Sequence, residues 1–272
     1  MPGRGERLSG WRRLAFATWR GPLPDPALRG HLVIDATPAL AFIERARASS
    51  GERVTLTHLA VKAVALAVAA NPEVNIRRRL GRLVPRPGVD IGLVVAFDEG
   101  RRQAALTIEG PAQLGVAAIA RAVEEGAARL RGAGGGDLER AGRVIDFLPL
   151  PVLRAGMRFF SWLSADIGVD LTRFGFPEQG MRAGSFGSAL VTSVGMLGID
   201  HGSPLLSPLT RVPAAVLVGR VGERALVVDG VVAARPAFDI SFTLDHRYVD
   251  GWHAGRLAAS LQDYFADPGA FE

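Results

Sequence analysis

Two short stretches of this chain hold residue types that can do chemistry together. The first is Asp245-His246-Arg247-Tyr248-Val249-Asp250-Gly251. An imidazole with an unperturbed pKa of about 6.5 changes charge near neutral pH, so a histidine held in a fixed turn can take a proton from an acceptor. A carboxylate such as Asp250 can hold the turn. The second is the run Gly187 to Gly198, in which Thr192 and Ser193 offer hydroxyls. Each feature also has a purely structural reading. A histidine on an apolar strand face can be a satisfied core residue, Asp250 only a cap, Arg247 only a surface charge, and the hydroxyls only partners for nearby backbone.

The elements around the first stretch are legible from periodicity. Phe238, Ile240, Phe242 and Leu244 alternate with Asp239, Ser241 and Thr243, which predicts a half-buried strand. Continuing the alternation places His246 on the apolar side where the strand ends. Leu257, Leu261 and Phe265 recur as one helical face, with Asp250 at the N-cap position. Upstream, Ser9 can cap a short helix through Trp11, Leu14, Ala15 and Trp19, and Pro22, Pro24 and Pro26 then break the chain. A strand is expected over His31 to Asp35 and a helix over Pro38 to Ala48. Thr57 is expected to cap a helix from His58 to Ala70, ended by Asn71-Pro72. Strands over Val89 to Phe97 and Gln103 to Ile108 flank a turn at Asp98-Glu99-Gly100, and a helix covers Leu114 to Leu130. Gly132 to Gly136 is a glycine-rich loop. No Gly-Lys-Ser/Thr ending follows it, so it is not a phosphate loop.

Composition narrows the function classes. The 272 residues, 48% hydrophobic, suffice for one large domain or two small ones. There is no cysteine, which removes disulfides and thiol nucleophiles. The five histidines lack close ligand spacing, so no metal is expected. The net charge of +5 comes almost wholly from arginine, with Lys62 the only lysine. The arginines are scattered apart from short clusters such as Arg77-Arg78-Arg79, and aromatics do not interleave with them. Nucleic acid is therefore not expected as a partner. No signal-peptide core begins the chain and no stretch reaches a membrane span, which needs about 18 apolar residues. The nearest approach, Phe147 to Trp162, is interrupted by Arg154 and Arg158. A cytoplasmic protein is the expectation.

Residues 245–251 resemble the His-Arg-x-x-Asp-Gly signature of the acyltransferase component of 2-oxoacid dehydrogenase complexes. Gly251-Trp252-His253-Ala254-Gly255-Arg256-Leu257 is similar to the same segment of chloramphenicol acetyltransferase, which shares that fold. Ile34-Asp35, Val61-Lys62-Ala63-Val64, Asn71-Pro72-Glu73-Val74-Asn75 and Ile91-Gly92-Leu93-Val94-Val95 match further family segments in the family's order. The resemblance covers most of residues 9 to 272. It implies an α/β fold: a two-layer α+β sandwich of the chloramphenicol acetyltransferase type, a mixed sheet with helices packed on one face. One catalytic domain over 1–272 is expected, with the Gly- and Arg-rich N-terminus at about 1–10 loose; the lipoyl and peripheral-subunit-binding domains that normally precede the family's core are not expected in this chain.

For function, the resemblance implies transfer of an acyl group between coenzyme A and a thiol or hydroxyl acceptor by direct attack in a ternary complex. His246 matches the base. Thr192 matches the family serine that donates to the oxyanion, its methyl crowding the site and limiting χ1; Ser193 is the neighbouring alternative. Asp250 would hold the loop and pair with an arginine of the first helix, matched by Arg12. The family site lies between subunits of a homotrimer. Acyl-CoA is then the substrate, and the acceptor is a lipoyl group carried on another chain or a free small molecule. Scattered arginines serve solvated faces and salt bridges, with coenzyme A phosphates as a second use.

The main departure from the family is an apolar insert at about 147–181. Its helix can be buried against its neighbours, cover a channel, fill a subunit contact or lie on a membrane surface. Packing within the trimer is the expectation, with membrane contact disfavoured. The family's apolar C-terminal tail is reduced to Phe271, which favours a trimer over a larger core. Two other readings stand beside the leading one: a xenobiotic O-acetyltransferase, and a non-catalytic trimeric scaffold or binding module that keeps the fold.

Overall fold

The computed structural model describes residues 26–80, 82–97, 102–132, 148–174, 186–207 and 210–272. The first helix expected from sequence, with Ser9 and Arg12, lies outside them, as do the turn at Asp98 to Gly100 and most of the glycine-rich loop.

The described chain begins with β1 (Ala27–Asp35), α1 (Thr37–Ser50) and α2 (Leu56–Ala70). A hairpin of β2 (Ile76–Arg79) and β3 (Arg82–Pro85) precedes β4 (Ile91–Phe97), β5 (Arg102–Ile108) and α3 (Val116–Gly132). Then come α4 (Leu150–Trp162), β6 (Ala189–Ser193), β7 (Ala214–Val218), β8 (Gly222–Val228), β9 (Val231–Asp245) and α5 (Gly251–Ala266). The strand order is β1-β9-β7-β6-β4-β5, with β8 added to β9 and the β2–β3 hairpin apart. β4, β6 and β7 run parallel, and the other pairs antiparallel, so the sheet is mixed.

One face of the sheet carries the core. Ile91 and Leu93 of β4, Val191 of β6, Val216 of β7 and Phe238 and Ile240 of β9 are buried there against α2, α3 and α5. Phe238 meets Phe265 of α5 edge-to-face at 5.2 Å. Each fully buried side chain of this size contributes roughly 1.5–3 kcal/mol. The expected apolar stripe of α5 is thus its buried face, through Leu261 and Phe265, with Leu257 at the margin.

The cap of α2 differs from the sequence expectation. Thr55, not Thr57, is the N-cap residue, and His58 completes a capping box by accepting from the Thr55 N–H through Nδ1 at 3.1 Å. Thr57 lies inside the first turn. Lys62 of α2 is buried and donates to the carbonyls of Ala112 and Leu114 at 3.1 and 2.7 Å, tying the helix to the turn before α3. Glu272 accepts from the Val116 N–H at the start of α3.

The insert forms α4 and continues as a π-helical turn over Leu163–Ile167. Only Leu153 is buried within the helix, while Val152, Phe159 and Trp162 are exposed. Among the described residues, α4 thus keeps an exposed apolar side. Phe159 meets Phe160 edge-to-face at 5.7 Å and lies tilted against Trp162 at 6.2 Å.

Candidate active site

The turn 245–250 is built by its own backbone and by Asp245. That carboxylate is buried and is gripped by Arg247, whose Nε donates to Oδ1 at 2.9 Å and Nη2 to Oδ2 at 2.6 Å. The Arg247 N–H adds a third bond to Oδ1 at 3.0 Å. The Asp245 carbonyl accepts from the N–H groups of Tyr248 and Val249, which closes the turn. Val249 is buried as its plug. The hydrogen bonds that Arg247 donates to the Asp245 carboxylate raise the Arg247 pKa.

His246 sits between the paired Asp245 and Arg247 and is exposed. Its expected place on the apolar side is overturned: Leu244 is the last core residue of the alternation, β9 ends at Asp245, and the turn redirects the next side chain. The His246 N–H donates to the Pro26 carbonyl at 2.7 Å, and the Asp245 N–H to the Pro213 carbonyl at 2.8 Å. The imidazole therefore projects from a backbone fixed at both neighbours, and it has no hydrogen-bond partner among the described residues.

Asp250 is the N-cap of α5, as the sequence suggests. Its Oδ1 accepts from the N–H groups of Trp252 and His253, and His253 Nδ1 stands 2.7 Å away. These bonds, led by the backbone N–H of His253, lower the Asp250 pKa. His253, which has no motif role in the sequence, thus completes the capping box. Arg12, the expected partner of Asp250, lies outside the described residues.

Thr192 and Ser193 end β6. The strand is entered through Gly187, whose φ of 64° and close approach to the Asp90 carbonyl leave no room for a Cβ. Thr192 pairs with Val94 of β4 and Leu217 of β7, and Leu217 in turn pairs with Ser241 of β9. Val191 points into the core, so Thr192 faces the opposite side of the sheet. His246 lies five residues beyond the Ser241 level, which is roughly 16 Å along the strand, and β6 and β9 are separated by β7, adding roughly 9–10 Å across the sheet. Within one chain the two groups do not meet.

The sequence reading missed two parts of this neighbourhood. One is the Asp245–Arg247 clasp, whose only signal was the spacing of an acid and a base around the histidine. The other is the pair Arg77 and Arg86 on the β2–β3 hairpin. Their Nε atoms are sealed from solvent without an acceptor, and Arg86 senses Tyr248 of the turn electrostatically. The sequence places the arginine run on solvated faces and in salt bridges, with coenzyme A phosphates as a second use. Among the described residues no group of three or more acidic or histidine side chains is placed to hold a metal. No described helix is long and apolar enough to cross a membrane.

The fold is that of acyltransferase catalytic cores. Solved structures with this fold include a probable dihydrolipoamide acetyltransferase from Listeria monocytogenes (TM-score 0.65, 17% identity, 97% of this chain and 95% of that one). The cubic core of a pyruvate dehydrogenase multienzyme complex is another (TM-score 0.69, 19% identity, 99% of this chain and 95% of that one). The chain belongs to the family of 2-oxoacid dehydrogenases acyltransferase (catalytic domain), which it matches over residues 26–134 and 180–271. The residues between these two blocks include α4. A curated relative is the dihydrolipoyllysine-residue acetyltransferase component of the acetoin cleaving system of Bacillus subtilis, 21% identical over 220 residues, or 81% of this chain and 43% of that protein. Another is the lipoamide acyltransferase component of the branched-chain alpha-keto acid dehydrogenase complex of Pseudomonas putida, 29% identical over 124 residues, or 44% of this chain and 28% of that protein. The chain spans less than half the length of these relatives.

Proposed function

We propose that this chain moves an acyl group between the thioester of coenzyme A and a thiol or hydroxyl acceptor. His246 takes the acceptor proton, and the acceptor attacks the thioester carbonyl directly in a ternary complex. The Thr192 hydroxyl donates to the oxyanion of the tetrahedral intermediate, with Ser193 the neighbouring alternative. Collapse of the intermediate expels the thiolate, which recovers the proton from His246. Asp250 holds the start of α5 behind the turn, and Arg12 is assigned to support it.

The observation that carries this reading is the presentation of His246: an exposed imidazole on a turn fixed by Asp245–Arg247 and by the Pro26 carbonyl. A general base needs geometry first, and this turn supplies it. The distance between His246 and Thr192 within one chain supports a site completed by a second copy, and we assign a homotrimer. Exposed Phe159, Trp162, Met196, Leu205 and Val232 supply apolar surface for such contacts. The acceptor is a lipoyl group on another chain or a small molecule.

The test incubates the purified chain with acetyl-CoA and dihydrolipoamide or small alcohols and separates free coenzyme A and acylated acceptor chromatographically. Equal release of coenzyme A and formation of acylated acceptor is expected. Failure with every acceptor class would leave only a scaffold role.

A further inference from the structure

The β2–β3 hairpin carries two arginines that the proposed chemistry does not use. Arg77 pairs with Val84, and the Arg86 N–H donates to the Asn75 carbonyl at 2.9 Å, two register steps further along. Arg77 and Arg86 therefore rise from the same face of the hairpin as diagonal neighbours, with backbones roughly 7–8 Å apart. Each Nε is sealed from water and donates to no acceptor. No acidic side chain forms an ion pair with either guanidinium among the described residues.

The nearby acids are committed elsewhere. The π-helical turn 163–167 packs against β2, but its buried Asp166 is in an ion pair with Arg211. Asp90 Oδ1 accepts from the Gly110 N–H. Asn75 is likewise occupied, accepting from Ser188 Oγ at 2.6 Å and donating to the Gly88 carbonyl. Two half-buried like charges side by side are costly until an opposite charge arrives. Burial, then the charge of Arg77, pushes Arg86 down to about 10, while Asp90 and Tyr248 oppose the fall. Tyr248 belongs to the turn that carries His246, so Arg86 is coupled electrostatically to that turn.

We infer that Arg77 and Arg86 form a binding site for an oxyanion, a carboxylate or phosphate carried by a substrate. Two guanidinium groups side by side suit such a group, which can accept N–H bonds from their Nη atoms, not sealed as the Nε atoms are. The inference rests on the acyl-transfer reading for the identity of the anion's carrier. Two carriers share the chemistry: the nucleotide end of coenzyme A, and an acyl group ending in a carboxylate.

The experiment measures equilibrium binding by calorimetry and needs no turnover. The full chain is titrated with coenzyme A, pantetheine, succinyl-pantetheine and acetyl-pantetheine. At least one anionic probe should bind tenfold or more tighter than its neutral counterpart, and Arg77→Gln and Arg86→Gln should each remove most of that difference. Dependence in the coenzyme A against pantetheine pair assigns the phosphate; dependence in the succinyl against acetyl pair assigns the carboxylate. The same variants should melt at or above the wild-type temperature, because a neutral side chain replaces an unpaired buried charge. Wild-type protein that does not distinguish either pair overturns the site, and that comparison needs no variant to fold. A lowered melting temperature with unchanged binding equally overturns it, by giving the arginines a structural role. Loss of acyl transfer in a His246 variant that still distinguishes the probes leaves the oxyanion site standing.

Discussion

Arg247 clasps Asp245 through two nitrogens, with His246 between them in the chain. The clasp spans one residue on either side of the proposed base, so it sets the direction in which the imidazole leaves the backbone. The Arg247 side chain is 68% exposed and screened by solvent, but the Asp245 carboxylate is buried, so loss of the cation leaves a buried charge short of a partner. Arg247→Gln should therefore lower the urea midpoint modestly, and lower kcat about tenfold with KM nearly constant. Full turnover in that variant would mean that the turn's backbone hydrogen bonds suffice.

His246→Ala should lower turnover by about 10²–10⁴, the usual contribution of a general base, in a protein that folds and assembles normally. Near-wild-type activity in the folded variant removes His246 from the mechanism.

At Thr192 the hydroxyl and the methyl can be separated. Thr192→Ser should keep or raise activity, and Thr192→Val should lose about 10²–10³ in kcat, as removal of an oxyanion donor does. If valine serves as well as threonine, the donor is elsewhere, and Ser193→Ala is the next variant to measure.

Much of this site was legible in the sequence, and the exceptions have physical causes. The strand ending at Asp245 and the helix beginning after Asp250 follow from alternation and from a four-residue apolar repeat, because each element buries one face. The exposure of His246 does not follow, since alternation cannot report where a strand stops pairing. β7 reads Ala214-Ala215-Val216-Leu217-Val218 and is buried on both faces. A continuous apolar run of that kind does not distinguish a strand from a short helix. The cap at Thr55 was misplaced by two residues because both threonines can cap, and only the reach of His58 Nδ1 back to the Thr55 N–H selects one. Arg77 and Arg86 lie nine positions apart, and only the hairpin register brings them together.

His58 gives the fold a dependence on pH. Burial, followed by the charge of Arg47, lowers its pKa from 6.5 to about 4. The folded chain therefore keeps the imidazole neutral where the unfolded chain protonates it. Its contribution is complete above pH 6.5 and is lost as pH falls towards 4, because the unfolded state binds more protons in that window. The full fall corresponds to roughly 3 kcal/mol as an upper bound, at about 1.36 kcal/mol per pH unit. Protonation of Nδ1 would also abolish its acceptance from the Thr55 N–H. His58→Gln, which keeps a capping side chain, should flatten urea stability measured between pH 4.5 and 7. An equal slope in variant and wild type would assign the acid sensitivity to other groups.

For assembly, sedimentation of the full chain should give the mass of three copies, and mixing inactive His246→Ala with inactive Thr192→Val protein should restore part of the activity through hybrid sites. Monomers that remain active would contradict a site shared between chains.

The burial of Lys62 reaches beyond the fold to the reagents that suit this molecule. It is the only lysine, and its amine is enclosed in α2 with two carbonyl partners. Amine-directed crosslinkers, succinimidyl dyes and lysine-coupled surfaces have no accessible side chain to react with on the folded protein. Side-chain crosslinking between copies of the chain would therefore go through carboxylates or engineered cysteines, for which the cysteine-free sequence offers a clean background. Conversely, a lysine reagent that does label Lys62 reports that α2 has come away from the turn before α3, making this amine a chemical gauge of unfolding.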